Sequence, residues 1–540
     1  MVALLGATSL AATAALAQPA VAAVPPLRDR TSATVTADAL PTVQINGVVW
    51  TQVMIGNVVY AGGEFTAARP AGAPAGTQET PRSNLLAYDI TTGELVTKFA
   101  PKAFNGVIRA LAVSSDKKTL YVGGTFTKVG TTKRGRFAAL NVTTGALKSP
   151  KPSFNSPIYA LAADSKKIFA GGLFTSVDKK ARTRLAAISA KTGKLTSWKA
   201  KANATVRALV LTSKSKLLVA GGSFSKLNST KASGSGAVSP SNGKTKTWKV
   251  NKIVKNGNSK AGVWGLAADS NTVYGTGYTW GKGNFEGVFA ASSKDGTLKW
   301  LQDCHGDTYS VAPIGDIVYS AGHPHYCSNI GGFPDTSPRT RWFQALAVTK
   351  NAAGTVAKNG QTTSKAYTNF EGKPAPGLLN WFPQLSTGSY TAQKQAAWSV
   401  VGNSKYISLG GEFPMASGRP QQGLVRMAIP SIAPNEVGPV GGPSAVGLTA
   451  DPQTDGRVVV TWNQLWDRDD LKLTYVLTRD DTVINKRTVS VPFWERSTMS
   501  FIDTDAASSY SSSGATYRVT VSDPGGNTVV SSAVKVRPVG

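Results

Sequence analysis

The chain has 540 residues, 55 of them Gly and 12 Trp, with 16% charged residues and a formal net charge of +29. That length exceeds one ordinary hydrophobic core and calls for two domains, or for one large repeat domain with an appendage. Helical periodicity is missing and short β-branched runs punctuated by Gly, Asn, Asp and Ser recur throughout, which excludes a helical bundle and a multi-span membrane protein.

Residues 1–22 form an apolar stretch ending in Ala20-Val21-Ala22, the small-residue pattern of a secretory cleavage site. They are expected to act as a signal peptide, with an uncleaved anchor as the alternative for a run this short. No later stretch is apolar enough to cross a bilayer, so no span is expected after cleavage, and the chain is expected to be secreted or held at the cell surface. Export in turn favours pairing the only two cysteines, Cys304 and Cys327, as one disulfide.

From residue 41 to residue 435 one motif returns about every fifty residues, a period typical of stacked or radial repeats. The clear copies are "VVYAGGEFT" (58–66), "TLYVGGTFT" (119–127), "KIFAGGLFT" (167–175) and "LLVAGGSFS" (217–225). Weaker ones are "TVYGTGYTW" (272–280), "IVYSAGHPH" (317–325) and "YISLGGEFP" (406–414), which makes seven. Each follows an inner-strand pattern such as "VIRALAV", and the early ones precede a strand and turn such as "FAALNVTTGALK". Asp or Ser in the first turn, Gly-Gly in the second and Thr-Gly in the third describe about four short strands per unit, the content of a propeller blade. The paired glycines fit either positive φ or a close backbone approach. Blade six is swollen between Phe343 and Trp398, and such insertions emerge on one face as functional loops.

The charge is unevenly spread. Residues 102–260 hold 31 basic residues against three acidic ones, Asp116, Asp164 and Asp178. A one-sided basic sector points to an anionic polymer such as a cell-wall glycan, with solubility as the plainer reading and no specific nucleic-acid partner expected. Lys outnumbers Arg there, which fits diffuse attraction better than bidentate recognition.

After the Pro/Gly-rich linker 436–445, residues 446–538 change character and resemble a fibronectin type III sandwich, with Trp462, Tyr475 and Tyr517 as its core aromatics. The GGxF repeats resemble kelch and galactose-oxidase central-domain propellers, and the whole arrangement resembles a group of exported actinobacterial proteins. The expected fold is all-β: a seven-bladed β-propeller followed by an immunoglobulin-like (fibronectin type III) β-sandwich, acting as a monomer. Likeness to galactose oxidase raises copper-radical oxidation, but a Cys304–Cys327 disulfide consumes the crosslinking thiol and the sandwich supplies no histidine.

Aligning the blades on the glycine pair gives two rings of equivalent positions. The inner-strand ring is Trp50, Arg109, Tyr159, Arg207, Trp264, Tyr309 and Trp398, which reads as inter-blade packing or as stacking platforms and anion donors for a ligand. The second ring places Glu64, His323 and Glu412 on consecutive blades. With His305, Asp307 and His325 these supply ligand types for one divalent metal ion. The expected function is a secreted or cell-envelope protein that binds an anionic or carbohydrate polymer. The alternative is a metal-dependent oxidase or glycan-cleaving enzyme using His305, His323 and His325 on blade six.

Overall fold

A computed structural model describes residues 34–214, 216–361, 367–506 and 514–537. The expected signal peptide lies outside them. Among the described residues no helix is long and apolar enough to cross a membrane.

The repeat units fold as antiparallel sheets whose innermost strands are Val48–Ile55, Ile108–Val113, Ile158–Ala163, Val206–Leu211, Ala261–Ala268, Thr308–Ile314 and Ala397–Gly402. Each innermost strand touches the next, and the last touches the first, so the sheets close a ring around an axis. We refer to the sheets as first to seventh in that order. Within each, the strand turns tightly into a second strand that carries the glycine pair. In the third, fifth and seventh sheets an Asx turn makes this hairpin: Asp164, Asp269 and Asn403 each accept two backbone N–H groups through Oδ1. Four full strands appear in the fourth, fifth and sixth sheets. In the first three the outer strand shrinks to single bridges, Tyr88↔Leu95, Leu140↔Leu147 and Ile188↔Leu195. A shortened outer strand limits the unpaired edge open to other chains.

The glycine pairs answer to close approach. A Cβ on the second glycine would lie 1.9 Å from the Val48 carbonyl oxygen at Gly63, 2.0 Å from that of Val107 at Gly124 and 1.8 Å from that of Ala396 at Gly411. A Cβ on the first would strike the neighbouring sheet, meeting Ile108 at Gly62 and Ile158 at Gly123. Neither glycine of these pairs has positive φ.

The ring closes with a segment that the sequence reading leaves ahead of it. Thr36 and Leu40 donate backbone hydrogen bonds to Ala428 and Arg426, so the start of the described chain edges the seventh sheet. Arg426, 6% exposed, extends its guanidinium to the carbonyls of Pro41, Ile90, Thr91 and Thr92. Burial holds its pKa below the usual guanidinium value. A buried polar chain reinforces the seam: Tyr88 donates to Ser408, Ser408 to Gln52, and Gln52 to Ser399.

The linker is pinned, with Glu436 and Val437 N–H groups on Asp38 and Asn527 Nδ2 on the Asn435 carbonyl. Beyond it, Thr449–Pro452, Val458–Asn463 and Thr498–Asp503 form one sheet. Thr482–Ser490, Lys472–Arg479, Ala515–Ser522, Thr528–Val530 and Val534–Val536 form another. Trp462, Tyr475 and Tyr517 are buried in the core between them. This unit docks on the sixth sheet through Phe493, whose ring lies 5.3 Å from both Phe343 and Phe382 and 5.7 Å from Phe333.

Replacing Arg426 by Ala strands four carbonyls at the closing seam. The expected cost is about 3 kcal/mol, since buried acceptors lose charged donors. Urea unfolding of Arg426→Ala beside an exposed control such as Arg457→Ala checks it.

Candidate functional site

In every sheet of the ring the pairing between the first and second strands slips, and the residue left out of register is Trp50, Arg109, Tyr159, Arg207, Trp264 (together with Gly265), Tyr309 or Trp398. A bulge bends the strand and re-aims the extra side chain. All seven therefore line one axial cavity of about 700 Å³. The aromatic members meet across the axis: Trp398 lies 4.6 Å from Trp50, 4.3 Å from Tyr309 and 5.7 Å from Trp264 between ring centroids. Arg109 covers Trp50 at 3.8 Å and Arg207 covers Trp264 at 4.5 Å, which places two cations on π faces. Burial lowers the Arg109 pKa, against the pull of Tyr159 and Glu64. Six of the seven side chains thus pack on one another, while Trp50 Nε1, Arg109 Nε and Arg207 Nε are buried donors without a hydrogen-bond partner among the described residues.

A second cavity, about 550 Å³, opens beside the axis between the fifth and sixth sheets. Asp307, His323, His325, Glu286, Arg339 and Gln395 contribute polar groups, and Trp280 and Trp342 stand at its wall. Those two indoles are 64% and 45% exposed, among the most exposed large apolar side chains of the protein. Trp280, Tyr309 and Gln393 line both cavities, so the two adjoin.

The window around the cysteines builds the floor of this pocket. Cys304 and Cys327 form a disulfide, and His305 pairs its backbone with Tyr326 and His325. The His305 ring is stacked between Tyr367, at 3.6 Å and 6°, and Tyr326, at 4.8 Å, with Nδ1 on Gln361. His323 receives the Asp307 N–H at Nε2, which leaves the proton of the neutral ring on Nδ1 facing Gln395 at 3.0 Å and Tyr309 at 3.2 Å. His325 Nδ1 is 3.2 Å from Asp335 Oδ2. Burial, reinforced by Arg339 and opposed by Asp335, pulls the His325 pKa down to about 3. Asp335 is itself held below the ordinary carboxylate value: burial works against this, and the Arg339 hydrogen bonds and the nearby His325 outweigh it.

The expected metal set does not converge. Among the described residues the only three acidic, His or Cys groups with ligand atoms within 4.8 Å of one another are Asp467, Asp469 and Asp470, at the sandwich. The pairing register does put Glu64, His323 and Glu412 at equivalent positions. The side chains of Glu412 and His323 are committed elsewhere, however. Glu412 accepts from Thr391 and Trp398 Nε1, and both His323 nitrogens face protein groups. Asp307 accepts Thr279 N and Trp280 Nε1 at 3.0 Å each. His305 is 1% exposed beneath its stacking partners.

Alignment on the glycine pairs leaves out Trp280, Trp342, Arg339, Glu286, Gln393 and Gln395. Only Trp280 carries a signal in the repeat, replacing the threonine of GGxFT in the fifth copy. A second feature outside the alignment is one Asn in each of the first four repeat units. Asn46, Asn105, Asn155 and Asn203 each accept two successive N–H groups just after the second strand.

A family model described as the Rax2 C-terminal beta propeller domain matches residues 85–259. No curated protein matches. Among solved structures, the chain is similar to the extracellular domain of BT4673 from B. thetaiotaomicron, a protein assigned as a hybrid two-component system, at 13% identity and TM-score 0.38. That match covers 77% of this chain and 44% of the other, so the chain spans less than half of that protein. The beta-propeller domain of Myceliophteria_thermophila Cps50 (Swd1) is 10% identical at TM-score 0.40, covering 72% of this chain and 99% of its own. A chain of a mitotic checkpoint complex is 11% identical at TM-score 0.41, covering 75% and 99%. The family match and the closed ring of sheets define an all-β protein with a β-propeller domain.

The His325 shift sets a pH dependence. The unfolded ring takes up a proton near its ordinary 6.5 and the folded ring only near 3. The unfolded state therefore binds more protons in that window, and the stability from this site, full above about pH 6.5, is lost progressively as pH falls toward about 3. His325→Asn is expected to lose less of its thermal midpoint than the parent between about pH 7 and about pH 4.

Proposed function

We propose that the chain is a secreted or cell-surface binding protein, a seven-bladed propeller with a fibronectin type III-like sandwich, that recognises a carbohydrate polymer in the pocket between its fifth and sixth blades. Removal of residues 1–22 on export belongs to this reading. The observation that carries it is the pair of exposed indoles, Trp280 and Trp342, on the wall of a concave pocket otherwise lined by Arg, Gln, His and carboxylate groups. Flat apolar platforms beside convergent donors and acceptors suit a sugar, whose C–H face stacks while its hydroxyls bond. The half-buried Tyr159 and Arg207 of the axial ring extend the same chemistry toward the axis. The metal-dependent alternative is disfavoured by His323, Asp307 and Glu412, whose polar atoms already bond to protein groups.

The test is binding of the full chain to a panel of purified cell-wall polysaccharides. A Trp280→Ala, Trp342→Ala double variant is expected to bind about tenfold or more weakly, the equivalent of about 1.4 kcal/mol, while remaining folded at the assay temperature. Binding equal to the parent's would contradict the assignment.

A further inference from the structure

Immediately after the glycine pairs of the second, third and fourth sheets the chain makes three small hairpins, absent from the repeat as read in sequence. They pair Lys128–Val129 with Thr132–Lys133, Ser176–Val177 with Lys180–Ala181, and Lys226–Leu227 with Thr230–Lys231. Each is fixed to its own sheet twice. The Asn clamp is one anchor: Asn105 Oδ1 accepts Thr127 and Lys128 N–H at 2.8 Å each, Asn155 accepts Thr175 and Ser176 at 2.9 and 3.0 Å, and Asn203 accepts Ser225 and Lys226 at 3.0 and 2.9 Å. A bridge from the approach to the inner strand is the other, at Phe104↔Val129, Phe154↔Val177 and Ala202↔Leu227.

Every hairpin presents two exposed ammonium groups: Lys128 and Lys133, Lys179 and Lys180, Lys226 and Lys231. Among the described residues none of the six pairs with a carboxylate, and the one acid on the hairpins, Asp178, is occupied by the Ser153 N–H. The corresponding hairpin of the seventh sheet is different, since its Arg419 is paired with Glu436. Arg69, after the second strand of the first sheet, is buried on Gln44, Ala73 and Gln422. Positive charge is thus left exposed and unneutralised on three consecutive sheets, whereas the equivalent stretch of the seventh sheet is ion-paired and that of the first buries its guanidinium.

We propose that these three hairpins form a rigid comb that docks a linear polyanion of the phosphodiester class along one face of the ring. Lys ammonium groups act on phosphates as compact point charges. Side-by-side hairpins repeated once per sheet offer a charge row to a partner whose own charges repeat, and clamped loops lose little order on binding. The comb and the sugar pocket occupy the same face, because both sit where second strands end and inner strands begin. The comb adds a second contact to the proposed function and does not depend on the pocket.

The experiment uses the full chain and soluble poly(glycerol phosphate). One variant changes the six hairpin lysines to Gln. A control of equal net charge changes Lys117, Lys118, Lys166, Lys191, Lys194 and Lys244, all exposed on turns at the opposite face of the same sheets. The hairpin variant is expected to bind about tenfold or more weakly at about 0.1 M salt with a shallower salt dependence, while the control stays within about twofold of the parent. Equal losses in both variants would mean attraction to net charge alone and would overturn the comb. Parental affinity in the hairpin variant would do the same, and equally tight, equally comb-dependent binding of dextran sulfate would overturn the phosphodiester assignment. Polysaccharide binding through Trp280 and Trp342 is expected to be unchanged in the hairpin variant, which separates failure of the comb from failure of the pocket.

Discussion

At each inner strand the chain is made to skip a residue. The second glycine of the pair lets its strand run against a carbonyl of the inner strand at a distance no Cβ allows, as at Gly63, Gly124 and Gly411. Beside that contact, the inner strand carries one residue more than its partner can pair. The surplus residue turns to the axis. A single local device, repeated sheet by sheet, therefore both lets neighbouring sheets approach closely and delivers one aromatic or cationic side chain per sheet to the centre. Substituting the first glycine would drive neighbouring sheets apart, and substituting the second would push its strand off the inner strand that carries the axial side chain.

Such a ring is only as sound as its seam. Most contacts between neighbouring sheets are apolar, but the junction of last and first is also polar: a buried guanidinium on four carbonyls and a Tyr–Ser–Gln chain. Satisfied buried polar groups tolerate little shift in register, and here they fix how the two ends meet. One sheet away from the seam, the sixth sheet gives up the repeat. Its loops are held by a disulfide, by a His305 ring stacked between two tyrosines, by the Asp335–Arg339 pair and by Phe493 of the sandwich. Those supports replace the missing motif and leave a pocket where other sheets have a simple turn.

Periodic features were legible in the sequence. The glycine pairs, the axial ring and the strand order follow from aligning copies, and the two cysteines left one pairing. The pocket was only partly legible, because its polar and indole groups come from stretches with no repeat to align against: Arg339 and Trp342 lie in "PDTSPRTRWF", Gln393 and Gln395 ahead of the seventh sheet. The metal set that alignment assembles is not a cluster in the fold, for a physical reason. Register can place Glu64, His323 and Glu412 at equivalent positions, yet it says nothing about the hydrogen bonds made once there: Trp398 and Thr391 claim Glu412, and Tyr309 and Gln395 claim His323. The hairpin clamps leave a trace in the sequence as one Asn in each of the first four units, but an alignment fixed on the glycines gives that Asn no role.

The central claim is that sugar recognition belongs to the departure from the repeat in the sixth sheet and not to the axial ring. A crystal structure of the full chain with a wall-derived oligosaccharide tests it most directly. A sugar ring stacked on Trp280 or Trp342, with hydroxyls on Arg339 or Gln395, is the predicted result. A sugar bound in the axial cavity against Trp50 and Tyr159, with the pocket empty, would contradict it.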